Sequence, residues 1–249
     1  MAGTTNGMIR FSESQIIKGP ILRVIIIIIS FGLFDGVERL VGSRGVPDRI
    51  DDLMHDLFTP VNSMLQANPR LADAVLIAIT GLADIAGVGL FLWSIVSRSV
   101  RPLVGLVVLY GLRQTVEVLC ELPAPAGMIW RYPGFPSLLV DYSVMGDFYF
   151  SGHVALVAYA AAEIATLRRW WLTMLGVGCT LFVAVALFSL RAHYTMDVFT
   201  GVVAVLLAIL TGSTVAGYLD RRRAMVVSEG AAPSEKDSKI NSLLPGDSS

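Results

Sequence analysis

Hydrophobic residues along this 249-residue chain fall into long runs separated by short polar and charged connections. A helix needs about 20 mostly apolar residues to cross ~30 Å of hydrocarbon. Six segments fit that pattern. They are Ile16–Phe34, around "VIIIIIS"; Leu71–Val96; Pro102–Leu119; a run that opens in "MGDFYFSGHVALVAY" and ends near Leu167; Trp170–Leu190; and Val198–Tyr218. The pattern predicts an all-α, polytopic membrane protein with six transmembrane helices. Residues 1–15 read as a cytoplasmic N-terminal segment, 16–220 as the membrane domain, and 221–249 as a disordered cytoplasmic tail rich in Ser, Pro, Gly and charge. The first run lacks a small-residue cleavage site and reads as a retained anchor. Arg23, inside it, is expected to snorkel toward an interface.

Composition agrees with the hydropathy pattern: 54% of residues are apolar, 16% are charged, and mean hydropathy is +0.66. Soluble domains carry charge on about a quarter of their residues. A net charge of −1 gives no polyanion-binding surface, so nucleic acid is not an expected partner. Cys120 and Cys179 both lie in apolar runs, which argues against a disulfide framework. With the N-terminus in the cytoplasm, that side collects nine basic residues as far as Arg223, against six on the other. Its short connections, including Arg98, Arg101, Arg168 and Arg169, are all basic, so the positive-inside rule places both termini inside.

Two junctions between polar and apolar sequence carry candidate chemistry. In "GDFYFSGH", Ser151 reads as a helix N-cap and Gly152 permits close backbone approach, so the N–H groups and dipole of the helix face a phosphate. His153 opens that helix. In "RAHYTMD", His193 and Asp197 are four residues apart and share a face if helical. The two histidines are 40 positions apart, ~60 Å at ~1.5 Å per helical residue, or two crossings with a turn at "LRRWW". Both therefore return to one interface, the non-cytoplasmic one in the orientation above. A carboxylate that binds one imidazole nitrogen fixes the tautomer and leaves the other lone pair to attack phosphorus. His153, protonated, can donate to the departing oxygen. Neither junction is specific alone; as a pair they point to phosphoryl transfer. These roles require no metal or cofactor.

Other polar residues have plainer readings. His55, in the acidic "DDLMHD" loop, reads as solvated. Asp73 lies near an interface, and Glu163 can pair with Arg168 or Arg169. Asp84, mid-span in "TGLADIAG", reads as a helix-to-helix hydrogen bond among small residues. Trp130, Tyr132, Tyr142, Phe148 and Tyr149 precede the fourth helix. They suit either an interfacial aromatic belt or a cage for a quaternary ammonium.

"GDFYFSGH" together with "HYTMDV" resembles the sphingomyelin synthase and plant phosphatidylcholine:diacylglycerol cholinephosphotransferase group, a branch of the type-2 phosphatidic acid phosphatase superfamily. "YGLRQTVEVLCELPAPAG", with Tyr110, Arg113 and the Leu122-Pro123-Ala124-Pro125 turn, agrees with it. "DDLMHDLFTPVNSMLQANPRLADAV" is similar to the first luminal loop of the plant enzyme. The resemblance spans about residues 50 to 218. It implies a six-helix phosphatase-type bundle in an endomembrane or, in a bacterium, the inner membrane. It also implies head-group transfer from a phospholipid donor to a lipid hydroxyl acceptor, diacylglycerol or ceramide.

By motif, His193 would be the nucleophile, Asp197 its orienting carboxylate and His153 the general acid. Ser151 and Gly152 would bind phosphate, and Asp147 would be catalytic or line the entrance. Arg113 would clamp phosphate or a loop, or else pair with Glu117. Arg191 would reach phosphate or anchor at the interface. The chain departs from the broader phosphatase pattern: Ser94 stands where a lysine precedes Arg101-Pro102, Ala186 and Leu187 replace a Ser-Arg pair, and Phe150 replaces a proline. The basic cradle for a phosphate dianion is missing, which suits a singly charged diester. A lipid phosphatase and a non-catalytic lipid-binding or scrambling protein are the alternatives.

Overall fold

The computed structural model describes residues 20–42, 50, 52–142 and 149–231. These form eight helices, and no strand occurs among the described residues: α1 (Pro20–Gly42), α2 (Leu53–Leu57), α3 (Thr59–Ala67), α4 (Pro69–Val96), α5 (Arg101–Leu119), α6 (Gly152–Ala165), α7 (Trp170–Ser189) and α8 (Thr195–Ala231). Proline opens α3, α4 and α5 at Pro60, Pro69 and Pro102, where its missing N–H costs no helical bond. Five helices are long and apolar enough to cross a membrane: α1, α4, α5, α7 and α8.

The helix expected as the fourth span, α6, is only 14 residues long and is the most enclosed. At ~1.5 Å per residue it covers ~21 Å, short of the ~30 Å hydrocarbon core. It packs against α4, α7 and α8. Small residues bring the axes close: a Cβ on Gly176 of α7 would lie 2.7 Å from the Ala161 methyl. Midway along it Tyr159, fully buried, presses on Gly105 and donates to the carbonyls of Arg101 and Pro102 at 3.3 and 3.4 Å.

Several sequence expectations change. Arg23 does not snorkel. It is buried and donates to the carbonyls of Ser94 (2.6 Å) and Ser97 (2.7 Å), capping the C-terminal end of α4, where helix carbonyls lack intrahelical partners. Glu163 pairs not with Arg168 or Arg169 but with Arg101, at 2.7 Å. The two arginines sit past the end of α6, and Arg168 has a left-handed backbone (φ 56°) that turns the chain away. Asp84 reaches no helix. Its carboxylate accepts from the Ser137 hydroxyl and from the N–H groups of Leu138 and Leu139, all at 3.0–3.1 Å. The final helix continues to Ala231, past the boundary placed at residue 220, while residues 232–249 lie outside the described residues.

Asp84 is one of three anchors for an irregular segment that runs inward along α4. Arg131 pairs with Asp73 at 2.6 Å, Tyr142 donates to Thr80 at 3.1 Å, and residues 137–139 sit on Asp84. From Asp73 to Asp84 is ~16 Å along a helix. Non-helical backbone at membrane depth persists only where protein groups satisfy it, and Asp84 supplies that satisfaction.

Candidate active site

The N-terminus of α6 and the connection from α7 to α8 meet at one end of the bundle. Ser151 caps α6, accepting from the Val154 N–H at 3.4 Å, as expected. The Ser151 N–H donates to the Asp197 carbonyl at 3.0 Å, so one main-chain bond ties the two motifs together. Phe150, immediately before, has φ 80° and is buried. That backbone is costly for an aromatic residue and closed to proline, whose φ is held near −65°. A proline could not take this conformation. Gly201 on α8 permits the approach, since a Cβ there would lie 3.1 Å from the Ser151 carbonyl.

His153 and His193 face each other edge to face, with ring centroids 6.2 Å apart, and both are buried. Asp197 Oδ2 lies 3.6 Å from His193 Nδ1. The reason differs from the shared helix face expected: His193 precedes α8, which begins at Thr195. Asp197, third residue of the helix, reaches back to accept from the Tyr194 N–H at 2.7 Å, the acidic half of a capping box. This capping geometry carries the carboxylate to the imidazole.

The histidines line a cavity of about 80 Å³ whose wall also includes Phe34, Glu38, Arg113 and Trp130. Arg113 is held between two carboxylates, Glu117 at 2.6 Å and Glu38 of α1 at 3.4 Å, with its guanidinium over the Phe34 ring. The pairing with Glu117 offered for it is present, and the side chain lines the cavity. It also packs on Gly152, where a Cβ would come within 2.9 Å of its Nε. Arg191, by contrast, is not part of the cavity wall. Its backbone is left-handed (φ 51°), and its guanidinium donates to the Ala126 and His55 carbonyls and the Thr59 hydroxyl at 2.7–3.1 Å. It staples loops, so the phosphate role expected for it is not the one its geometry serves. Asp147 and Phe148 lie outside the described residues.

Trp130 meets His153 edge to face at 5.7 Å and Tyr142 at 5.2 Å, and Tyr132 packs on Tyr142 at 6.0 Å. Three of the five aromatics singled out in the sequence therefore form a cluster, of which Trp130 lines the cavity. Burial raises the pKa of Tyr142, against a smaller opposing effect of its bond to Thr80.

Sequence reasoning missed His55 and Asp52. His55 is buried, not solvated: its Nε2 lies 2.8 Å from the His193 carbonyl, and its ring packs on Tyr194. Asp52 caps α2 through the Met54 and His55 N–H groups and also accepts from the Thr195 N–H and hydroxyl, both at 2.7 Å. Burial alone would raise the Asp52 pKa, but the bonds from Thr195 and Met54 and the nearby His55 outweigh it and leave the pKa lowered. An Asp three residues before a histidine, opening an amphipathic run, was the available signal for a cap.

A family model, AtPDCT1/2, matches residues 52–213, from the cap of α2 into α8. The chain belongs to the AtPDCT1/2 family. It is also 25% identical over 212 residues to phosphatidylcholine:diacylglycerol cholinephosphotransferase 1 of Arabidopsis thaliana, covering 84% of this chain and 67% of that protein. No solved structure matches it. The AtPDCT1/2 match takes in every cavity residue except Phe34 and Glu38, which α1 contributes from outside the matched region.

Proposed function

We propose that this chain is a membrane phosphotransferase that moves phosphocholine, or a related head group, from a phospholipid to diacylglycerol or ceramide. The observation that carries the reading is the convergence of His153 and His193 on one cavity, with the Asp197 carboxylate behind His193 Nδ1. The His193 Nε2 lone pair attacks the phosphodiester phosphorus while Asp197 holds Nδ1–H. The bond from phosphorus to the diacylglycerol oxygen breaks, and His153 gives that oxygen its proton. The acceptor hydroxyl then passes its proton to His153, attacks the phosphohistidine and frees His193. The rings are close enough for one phosphoryl group to contact both.

Charge at the cavity favours a head group with a cation. Arg113 is paired with Glu38 and Glu117, and the Asp141 carboxylate lines the same cavity wall. The cluster of Trp130, Tyr132 and Tyr142 offers ring faces to a quaternary ammonium beside His153. Against a phosphatase, Ser94 and Arg101 lie at the far end of the bundle, where Ser94 bonds Leu90 and Arg101 bonds Glu163. In this reading α6 is the fourth of six spans in a phosphatase-type bundle, and the cavity opens on the non-cytoplasmic face of an endomembrane or bacterial inner membrane.

The test uses purified protein in liposomes with choline-labelled phosphatidylcholine, adding diacylglycerol or ceramide in turn. Label should move to one acceptor and stay in the donor with His193→Ala. Release of water-soluble phosphocholine without an acceptor would make the protein a hydrolase. Lipid binding without turnover would return it to the non-catalytic class.

A further inference from the structure

The short surface helices α2 and α3 lie at the cavity end of the bundle, and their inward face binds main-chain atoms of the connection that carries His193. Asn62 donates to the Ser189 carbonyl at 2.9 Å, Asp52 accepts from the Thr195 N–H, and His55 Nε2 sits on the His193 carbonyl. The outward face carries Leu53, Leu57, Val61 and Met64, all exposed, so the inward face is the polar one here. Because a carbonyl only accepts, the Nε2–H tautomer of His55 is the donor.

We propose that His55 is a positioning residue for His193, acting through the peptide between His193 and Tyr194. That single peptide group is held at both ends. Its C=O accepts from His55 Nε2 at 2.8 Å, and its N–H donates to Asp197 Oδ2 at 2.7 Å. The same Oδ2 is the atom 3.6 Å from His193 Nδ1. The plane of the peptide therefore decides whether the Asp197 carboxylate lies against the imidazole. Tyr194 is also held through its hydroxyl on the Pro123 carbonyl and through its own carbonyl, which accepts from Asp197 and Val198 at the start of α8. Residues 191–194 belong to no helix, and Arg191 just before them has a left-handed backbone. Packing of the His55 ring on Tyr194, 5.3 Å between centroids, adds a second grip on the same residue pair. Without the His55 donor the peptide can rotate, its N–H leaves Oδ2, and the carboxylate and imidazole lose their common register.

The proposal rests on the reading of His193 as the nucleophile, so its test needs one readout that depends on turnover and one that does not. His55→Phe keeps the ring stack and removes the donor; His55→Gln keeps a donor at similar reach. In the liposome assay the Phe variant should lose about 10²-fold in kcat, the scale of a ~1 Å misplacement at a reacting centre, with KM unchanged. The Gln variant should recover most of that loss. Independently, carbethoxylation of His193 by diethyl pyrocarbonate, followed by peptide mass spectrometry, should be faster in the Phe variant and at the wild-type rate in the Gln variant. Equal behaviour of the Phe and Gln variants in both readouts overturns the proposal. If wild-type protein transfers no head group, the functional reading fails, and the carbethoxylation rates still decide the positioning role. Should the Phe variant not accumulate, His55→Asn, polar but too short to reach the carbonyl, replaces it with the same expectations.

Discussion

At the end of the bundle away from the cavity, Arg101 and Glu163 meet at 2.7 Å and Arg23 caps the C-terminus of α4 through main-chain carbonyls. At the cavity end, His153 and His193 are just as buried but line open space, Asp197 lies behind His193, and Arg113 on the wall is shared by two carboxylates. Both ends carry charge that a membrane bundle tolerates only when it is matched or functional. The contrast lies in what the charges face. One set closes on itself and holds α4, α5 and α6 in place; the other leaves its polar groups converging on a ligand-sized void.

Substitutions at the two ends should therefore fail differently. His193→Ala should abolish transfer in the liposome assay, while Asp197 keeps its capping bond from the Tyr194 N–H and α8 stays in place. His153→Ala should slow transfer by ~10²–10⁴-fold, the usual worth of a positioned general acid. Arg101→Ala should do the reverse. It strands Glu163 in the bundle at a cost of ~3 kcal/mol, visible as a lower melting temperature, while the protein that remains folded keeps its kcat. Gly152→Ala should be milder: the new methyl displaces the flexible Arg113 side chain and changes KM a few-fold, read by substrate titration.

The smallest effect concerns Asp52. Its pKa is lowered in the folded protein, so its contribution to stability is complete above the unfolded value of about 3.9. That contribution disappears as pH falls through the lower folded value. The acid-side fall in melting temperature should be shallower in Asp52→Asn than in wild type.

What the sequence revealed depended on how far apart the interacting groups lie along the chain. His153 and Ser151 were legible because a cap and its helix are neighbours, and the return of His193 to the same interface followed from helix rise alone. The Asp197–His193 contact was read correctly in outcome but for a different reason, since four residues can be bridged by a capping box as well as by one helical face. Contacts between distant segments were not legible. His55 and His193 are 138 residues apart, and Arg101 and Glu163 are 62 apart. In the sequence His55 sits among acids and looks solvated, and Glu163 has arginines close by that the turn at Arg168 carries away. Asp84 was read as helix packing glue because its partners, the N–H groups of a loop entering the bundle, leave no composition signal.

The most direct test of the account is to look for the covalent intermediate. Wild-type protein would be given choline-labelled phosphatidylcholine without acceptor, quenched in base, where a phosphohistidine survives, and digested for peptide mass spectrometry. The account predicts phosphocholine on the peptide containing His193, absent in His193→Ala and discharged when diacylglycerol or ceramide is added. Transfer that proceeds at the wild-type rate in His193→Ala, with no labelled peptide at any time, would contradict it.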